Sequence, residues 1–158
     1  MNIKIGHLVL RPEHLPTIAK WQQDEFGYLN PSGTLEQRER RLREATDLER
    51  LPIALVALSN EGVLMGSASI LATTLTHKHL SPWLSSVFVH PEHRGKGIAS
   101  ALSMRVCEET ARLGFEKLYL FTPRNETLYA RLGWTTFDLT IHDGVSLVIM
   151  ERKVRQQT

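Results

Sequence analysis

The residues best suited to chemistry lie in one contiguous stretch, Val89-His90-Pro91-Glu92-His93-Arg94-Gly95-Lys96-Gly97-Ile98-Ala99-Ser100. Glycines at 95 and 97 remove side chains where the backbone must turn sharply and let a ligand approach. A helix starting at Ile98 would add unpaired amide N–H groups and the positive end of its dipole. Together these features make an anion cradle, and Arg94 and Lys96 add charge that can pair with phosphate oxygens. Two familiar phosphate loops do not fit. There is no GxxxxGK[ST], and Gly95-x-Gly97 lacks the third glycine of GxGxxG because position 100 is Ser.

Other reactive side chains carry less. His77, His79, His90 and His93 invite a metal reading, but a zinc site needs three or four converging ligands, and no recognised spacing is present, so no metal is expected. Ser85 and Ser86 lack a GxSxG elbow and are read as facing opposite sides of a sheet. Cys107 adjoins Glu108 and Glu109, which disfavour a thiolate. The charged run from Arg38 to Glu44 reads as a solvated helix face with intrahelical ion pairs and is given no function.

The elements that would position the cradle follow from periodicity and punctuation. Ile3 to Leu10 alternates as a strand, and Leu15, Ile18, Ala19 and Trp21 recur at helical spacing after Pro12 and Pro16. Thr34 followed by Gln37 is a capping-box start for a helix expected to run to about Arg50. Ile53 to Leu58 and Val63 to Leu71 flank a turn and form a hairpin. Trp83 to Val89 reads as a strand leading into the loop. Ile98 to Leu113 is then a helix with Gly114 as its cap. Lys117 to Thr122 is a strand, Glu126 to Leu132 a short helix, and Trp134 to Ile141 with Val145 to Arg152 a closing hairpin around His142-Asp143-Gly144. The pattern predicts a mixed α/β fold with a largely antiparallel sheet of about seven strands and about four helices.

With these elements in place, the sequence resembles the GNAT N-acetyltransferase superfamily. The family's pyrophosphate loop runs Arg or Gln, two residues, Gly, one residue, then Gly or Ala, and Arg94, Gly97 and Ala99 fill those places after the strand Ser85 to Val89. Leu128-Tyr129-Ala130-Arg131-Leu132-Gly133-Trp134 is similar to its second signature, a Tyr followed by Leu-Gly-aromatic. The resemblance covers about residues 3 to 153. It implies a V-shaped opening between the strand ending at Val89 and the strand Lys117 to Thr122, with acetyl-coenzyme A as co-substrate. Backbone groups of Val87, Phe88 and Val89 would pair with the pantetheine, and the loop Arg94, Gly95, Lys96, Gly97, Ile98, Ala99 and Ser100 would hold the pyrophosphate. Tyr129 occupies the place of the tyrosine that protonates the departing thiolate. An amine would attack the acetyl group directly, a backbone N–H stabilising the oxyanion.

Two positions depart from the family pattern. Where many members carry a general-base Glu, eleven residues before Arg94, this chain has Trp83, leaving an ordered water, Glu25 or His79 to take the proton, or an acceptor amine that arrives already neutral. The Asn often found seven residues before the signature Tyr is here Thr122, with Asn125 nearer. Trp21, Phe26 and Tyr28 flank Asp24 and Glu25 where the family's first two helices often wall the acceptor site, and acidic residues there would suit a cationic amine. The expected activity is acetyl transfer to a primary amine of a small molecule or peptide. The alternative is a non-catalytic acyl-coenzyme A binding module, and O-acetyl transfer or a longer acyl donor also stay open.

Composition bounds the remaining classes. At 158 residues and 18.0 kDa, one domain over 1–158 is expected, burying about 70% of the unfolded surface. A net charge of +2 is too weak to imply a nucleic-acid or anionic-membrane partner. No apolar run approaches the ~20 residues that span a bilayer, and the N-terminus lacks a signal peptide's apolar stretch and cleavage site. The lone Cys107 allows no intrachain disulfide and fits a cytoplasmic protein. Oligomeric state is unreadable, leaving a homodimer open.

Overall fold

In chain order the computed structural model, which describes residues 2–155, forms β1 (Lys4–His7), α1 (Leu15–Phe26), α2 (Leu35–Arg43), β2 (Ile53–Leu58), β3 (Leu64–Leu71), β4 (Trp83–Val89), α3 (Ile98–Arg112), β5 (Lys117–Thr122), α4 (Glu126–Arg131), β6 (Thr135–His142) and β7 (Val145–Lys153). The seven strands make one sheet in the order β1-β2-β3-β4-β5-β7-β6, antiparallel except for β4 beside β5. This is the α/β architecture expected from the sequence.

Local chemistry explains most boundaries. Thr34 Oγ1 accepts from the Gln37 amide and Gln37 Oε1 from the Thr34 amide, closing the capping box at the start of α2. That helix stops at Arg43 and does not reach Arg50. Ala45 turns into the core, and Asp47 Oδ1 accepts from the Glu49 amide, offering the backbone a turn in place of a helix. The first strand likewise ends early, because Leu8–Leu10 tighten into a 3₁₀ turn that buries Leu8. At the end of α3, Gly114 takes φ +93, and the Gly114 and Phe115 amides donate to Ala111 and Thr110, a Schellman closure. Asp143 and Gly144, both at positive φ, form the two-residue turn between β6 and β7.

Two layers of helix cover the sheet. Leu55 and Ala57 of β2 pack with Ile98, Leu102 and Val106 of α3, whereas Ala54, Val56 and Leu58 pack with Ile18, Ala19 and Leu42 of α1 and α2. Every β2 residue is buried, as a strand sandwiched on both faces requires.

A buried carboxylate ties α3 to its surroundings. Glu109 accepts from Arg112 Nε at 2.6 Å and from Arg105 at 3.3 Å, and its Oε1 lies 2.8 Å from His7 Nε2 on β1. Burial alone would raise its pKa, but the hydrogen bonds from Arg112 and His7 outweigh that and hold it below the usual glutamate range. A depressed carboxylate stabilises the fold above its unfolded pKa and loses that contribution as pH falls through the folded value. Glu109→Gln is therefore expected to cost about 1–3 kcal/mol at neutral pH. Melting curves across pH should show the gap between variant and parent closing below about pH 4.5.

Candidate functional site

The site begins with a break in the sheet. β4 and β5 pair only at Trp83 and Tyr119, where the Tyr119 amide donates to the Pro82 carbonyl, and the strands are unpaired towards their C-terminal ends. At the apex Trp83 is fully buried against Tyr119 and Phe121, its indole N–H held by the Leu80 carbonyl. It packs the root of the V and lines neither cavity beside it.

Further along β4 the register slips. Ser86 and Val87 together oppose Ala68 alone, and Ser86 sits at φ +54, a backbone conformation uncommon outside glycine. The bulge corrects the expectation that Ser85 and Ser86 face opposite sides of the sheet. Their hydroxyls lie 3.4 Å apart, and both line the same two cavities. Alternation across a strand holds only while the pleat is regular.

The opening between the strands is a cleft of about 120 Å³, lined on one side by Leu84 to Val87 and on the other by Leu120 to Asn125, with Tyr129 at its edge. Tyr129 is buried, edge-on to Trp134 at 6.0 Å, and burial pushes its hydroxyl up to about 12. It therefore carries its proton at any physiological pH. Asn125 also lines the cleft; its amide is held by Thr122 Oγ1 at 2.9 Å, which sets the short turn from β5 into α4. Of the expected pantetheine strand, Val87 lines the cleft. Phe88 is buried under Trp21 and Arg94, and the Val89 carbonyl accepts from Arg94 Nε at 3.0 Å.

The loop beyond Val89 has the form of the expected cradle. Gly95 and Gly97 adopt φ +78 and +80, and a Cβ on either would meet no protein atom within 4 Å. Among the described residues, the first amide of α3 with a backbone acceptor is that of Ala101, donating to Gly97, so those from Gly95 to Ser100 point to no backbone carbonyl. Arg94 is committed to tying the loop to β4, and Lys96 is exposed. Backbone amides without backbone acceptors thus lie together at the start of α3, beside the exposed Lys96, an arrangement suited to an anion.

A second cavity, of about 410 Å³, lies under α1, α2 and the segment 71–78. It shares Phe26, Leu29, Ser85, Ser86 and Phe121 with the cleft, so the two spaces meet at the β4 bulge. Here the sequence reading needs correction. Arg38 and Arg41, read as part of a solvated face, both line this cavity: the packing of α2 on α1 half-buries Arg38 against Gln23, while Arg41 stays exposed at the cavity's lining. Nothing in the charge run alone says which side of α2 faces α1. Tyr28 and Glu25 line the cleft, but Asp24 is outside both cavities in an exposed pair with Lys20 at 2.8 Å. His79 is exposed beside His77, which bonds Asp138, and neither histidine lines the site. Cys107 is buried and its thiol is raised by that burial, so it is no nucleophile.

A family model for the acetyltransferase (GNAT) family matches residues 15–134, which takes in both helices under the second cavity, the β4 bulge, the loop and Tyr129. The chain belongs to the GNAT acetyltransferase family. Its fold is also that of solved structures. The protein yncA from Salmonella typhimurium, with its cofactor acetyl-CoA, is 20% identical over 100% of this chain and 97% of its own, with a TM-score of 0.73. Spermidine N-acetyltransferase from Vibrio cholerae, in complex with CoA and spermine, is 17% identical over 96% and 95%, at 0.72. An aminoglycoside 6'-N-acetyltransferase complexed with coenzyme A is 14% identical over 100% and 99%, at 0.75. As a GNAT enzyme the protein is an acyltransferase, and the neighbours named are structures with acetyl-CoA or coenzyme A bound. The residues present suit such a molecule: amides without backbone acceptors would meet a pyrophosphate, and the unpaired β4 edge beside the cleft would meet an amide-bearing arm. No described helix is long and apolar enough to cross a membrane.

Proposed function

We propose that this protein transfers an acetyl group directly from acetyl-CoA to a primary amine that enters through the second cavity. The observation that carries the reading is the joining of the two spaces at Ser85 and Ser86, with the loop amides at one end and a protonated Tyr129 at the cleft edge. The co-substrate supplies an acetyl thioester, and every other function belongs to this chain. The amides from Gly95 to Ser100 hold the pyrophosphate. The exposed edge of β4 around Val87 positions the arm, and the bulge at Ser86 offers backbone N–H groups to the acetyl oxygen as charge gathers there.

In the transfer a C–N bond forms and the C–S bond breaks. The amine loses one proton, and the sulfur leaves as a thiolate that takes one from Tyr129 Oη. Trp83 accepts no proton, so the amine's proton passes to ordered water or to Glu25, the acidic side chain lining the cleft. Free thiol is the diagnostic product. Incubating the protein with acetyl-CoA and a panel of primary amines should release coenzyme A thiol only when a suitable amine is present. Thermal stabilisation by acetyl-CoA with no amine-dependent thiol release would instead make it a binding module.

A further inference from the structure

The second cavity carries a charge pattern that narrows the acceptor. Arg38, Arg41 and Lys78 line it against a single carboxylate, Glu44. Arg38 is half-buried and its Nε donates to Gln23 Oε1 at 3.1 Å. Among the described residues, no carboxylate lies within ion-pair distance of Arg38 or Arg41. Gln22, 3% exposed and lining the same cavity, has a buried Nε2 without a hydrogen-bond partner.

Half-buried guanidinium groups normally have counter-charges, and buried donors normally have acceptors. Here, among the described residues, the half-buried Arg38 has no carboxylate partner and the buried Gln22 donor has no acceptor, and the exposed Arg41 adds a second cation to the same lining. Burial, and then the neighbouring Arg41, lower the pKa of Arg38. Phe26, Leu29, Leu71 and Phe121 supply apolar lining to the same cavity. A cavity of this size suits a small molecule.

Resting on the acetyl-transfer reading above, we propose that the acceptor is a small amine that also bears an anionic group, an amino acid in the simplest case, whose carboxylate is held by Arg38 and Arg41. The guanidinium forks of α2 grip the anion, Gln22 Nε2 supplies a further donor, and the amine end reaches the bulge at Ser85 and Ser86. A planar carboxylate is what an Arg fork binds best. A polyamine or aminoglycoside would bring its positive charges against Arg38, Arg41 and Lys78, so the same residues discriminate against it.

The test compares, in the thiol-release assay with the full chain, the twenty amino acids, their methyl esters, spermidine and kanamycin. At least one free amino acid should exceed its own ester by tenfold or more in kcat/KM, with spermidine and kanamycin poorer still. In Arg41→Gln and Arg38→Met the acid-to-ester preference should collapse towards one, through KM and not kcat. Arg41 is exposed, so its variant stays informative if Arg38→Met fails to fold. Turnover of spermidine or kanamycin above every amino acid, or equal use of acid and ester, overturns this proposal and leaves acetyl transfer standing. Thiol release with none of these amines overturns both.

Discussion

Tyr129→Phe is expected to lower kcat by about 10²- to 10⁴-fold while leaving acetyl-CoA affinity little changed. The substitution keeps the ring, and with it the edge-on contact to Trp134 at 6.0 Å and the packing of α4 on the core. Only the proton donor is lost. Because burial holds that hydroxyl near 12, it stays protonated through the working range, so Tyr129 itself adds no basic limb to the parent's rate profile between about pH 6 and 10. Single-turnover measurements with saturating amine read the chemical step directly. A Phe variant within a few-fold of the parent in that step would remove Tyr129 from the mechanism.

Gly97→Val should abolish stabilisation by acetyl-CoA. At a ligand concentration of 100 times its dissociation constant, binding adds about 2.7 kcal/mol, which for a domain of this size raises the melting temperature by roughly 5–10 °C. Gly97 caps α3 in the left-handed region, so Val there costs about 1–2 kcal/mol of backbone strain. A Cβ there meets no protein atom within 4 Å, so the fold is expected to survive. What it fills is the space before the unpaired amides. A variant that melts slightly lower and no longer responds to acetyl-CoA is the expected result, and a parent-like shift would show that the anion binds elsewhere.

The glycine turn from β4 into α3 could be read in the sequence because all of its parts are contiguous. Two glycines, a helix start and the preceding strand sit within a dozen residues, and backbone amides need no distant partner to form the cradle. The capping box at Thr34 and the Asp143-Gly144 turn were legible for the same reason. Arg38 and Arg41 were not. Their run looks the same whether it faces water or a cavity, and only the packing of α2 against α1 decides which. The side-by-side placement of Ser85 and Ser86 was hidden too, since a bulge is a property of two strands in register and β4 alone does not contain it. Helix α2 ended early because the competing turn at Asp47 and the burial of Ala45 outweighed a charged sequence that favours helix.

The single pairing of Trp83 with Tyr119 bears on how the molecule holds together. Along this seam the backbone ladder that normally stitches neighbouring strands is reduced to one rung, and four strands lie to one side of it and three to the other. What spans the seam is otherwise side-chain packing, chiefly Trp83 as a rivet and the α3 core shared by both sides. A molecule bound in the gap would lie where the missing rungs should be and offer its own amides in their stead. A co-substrate held there would serve as architecture as well as reagent. Departure of coenzyme A would then withdraw part of the scaffold, leaving the free enzyme looser along this seam than the loaded one.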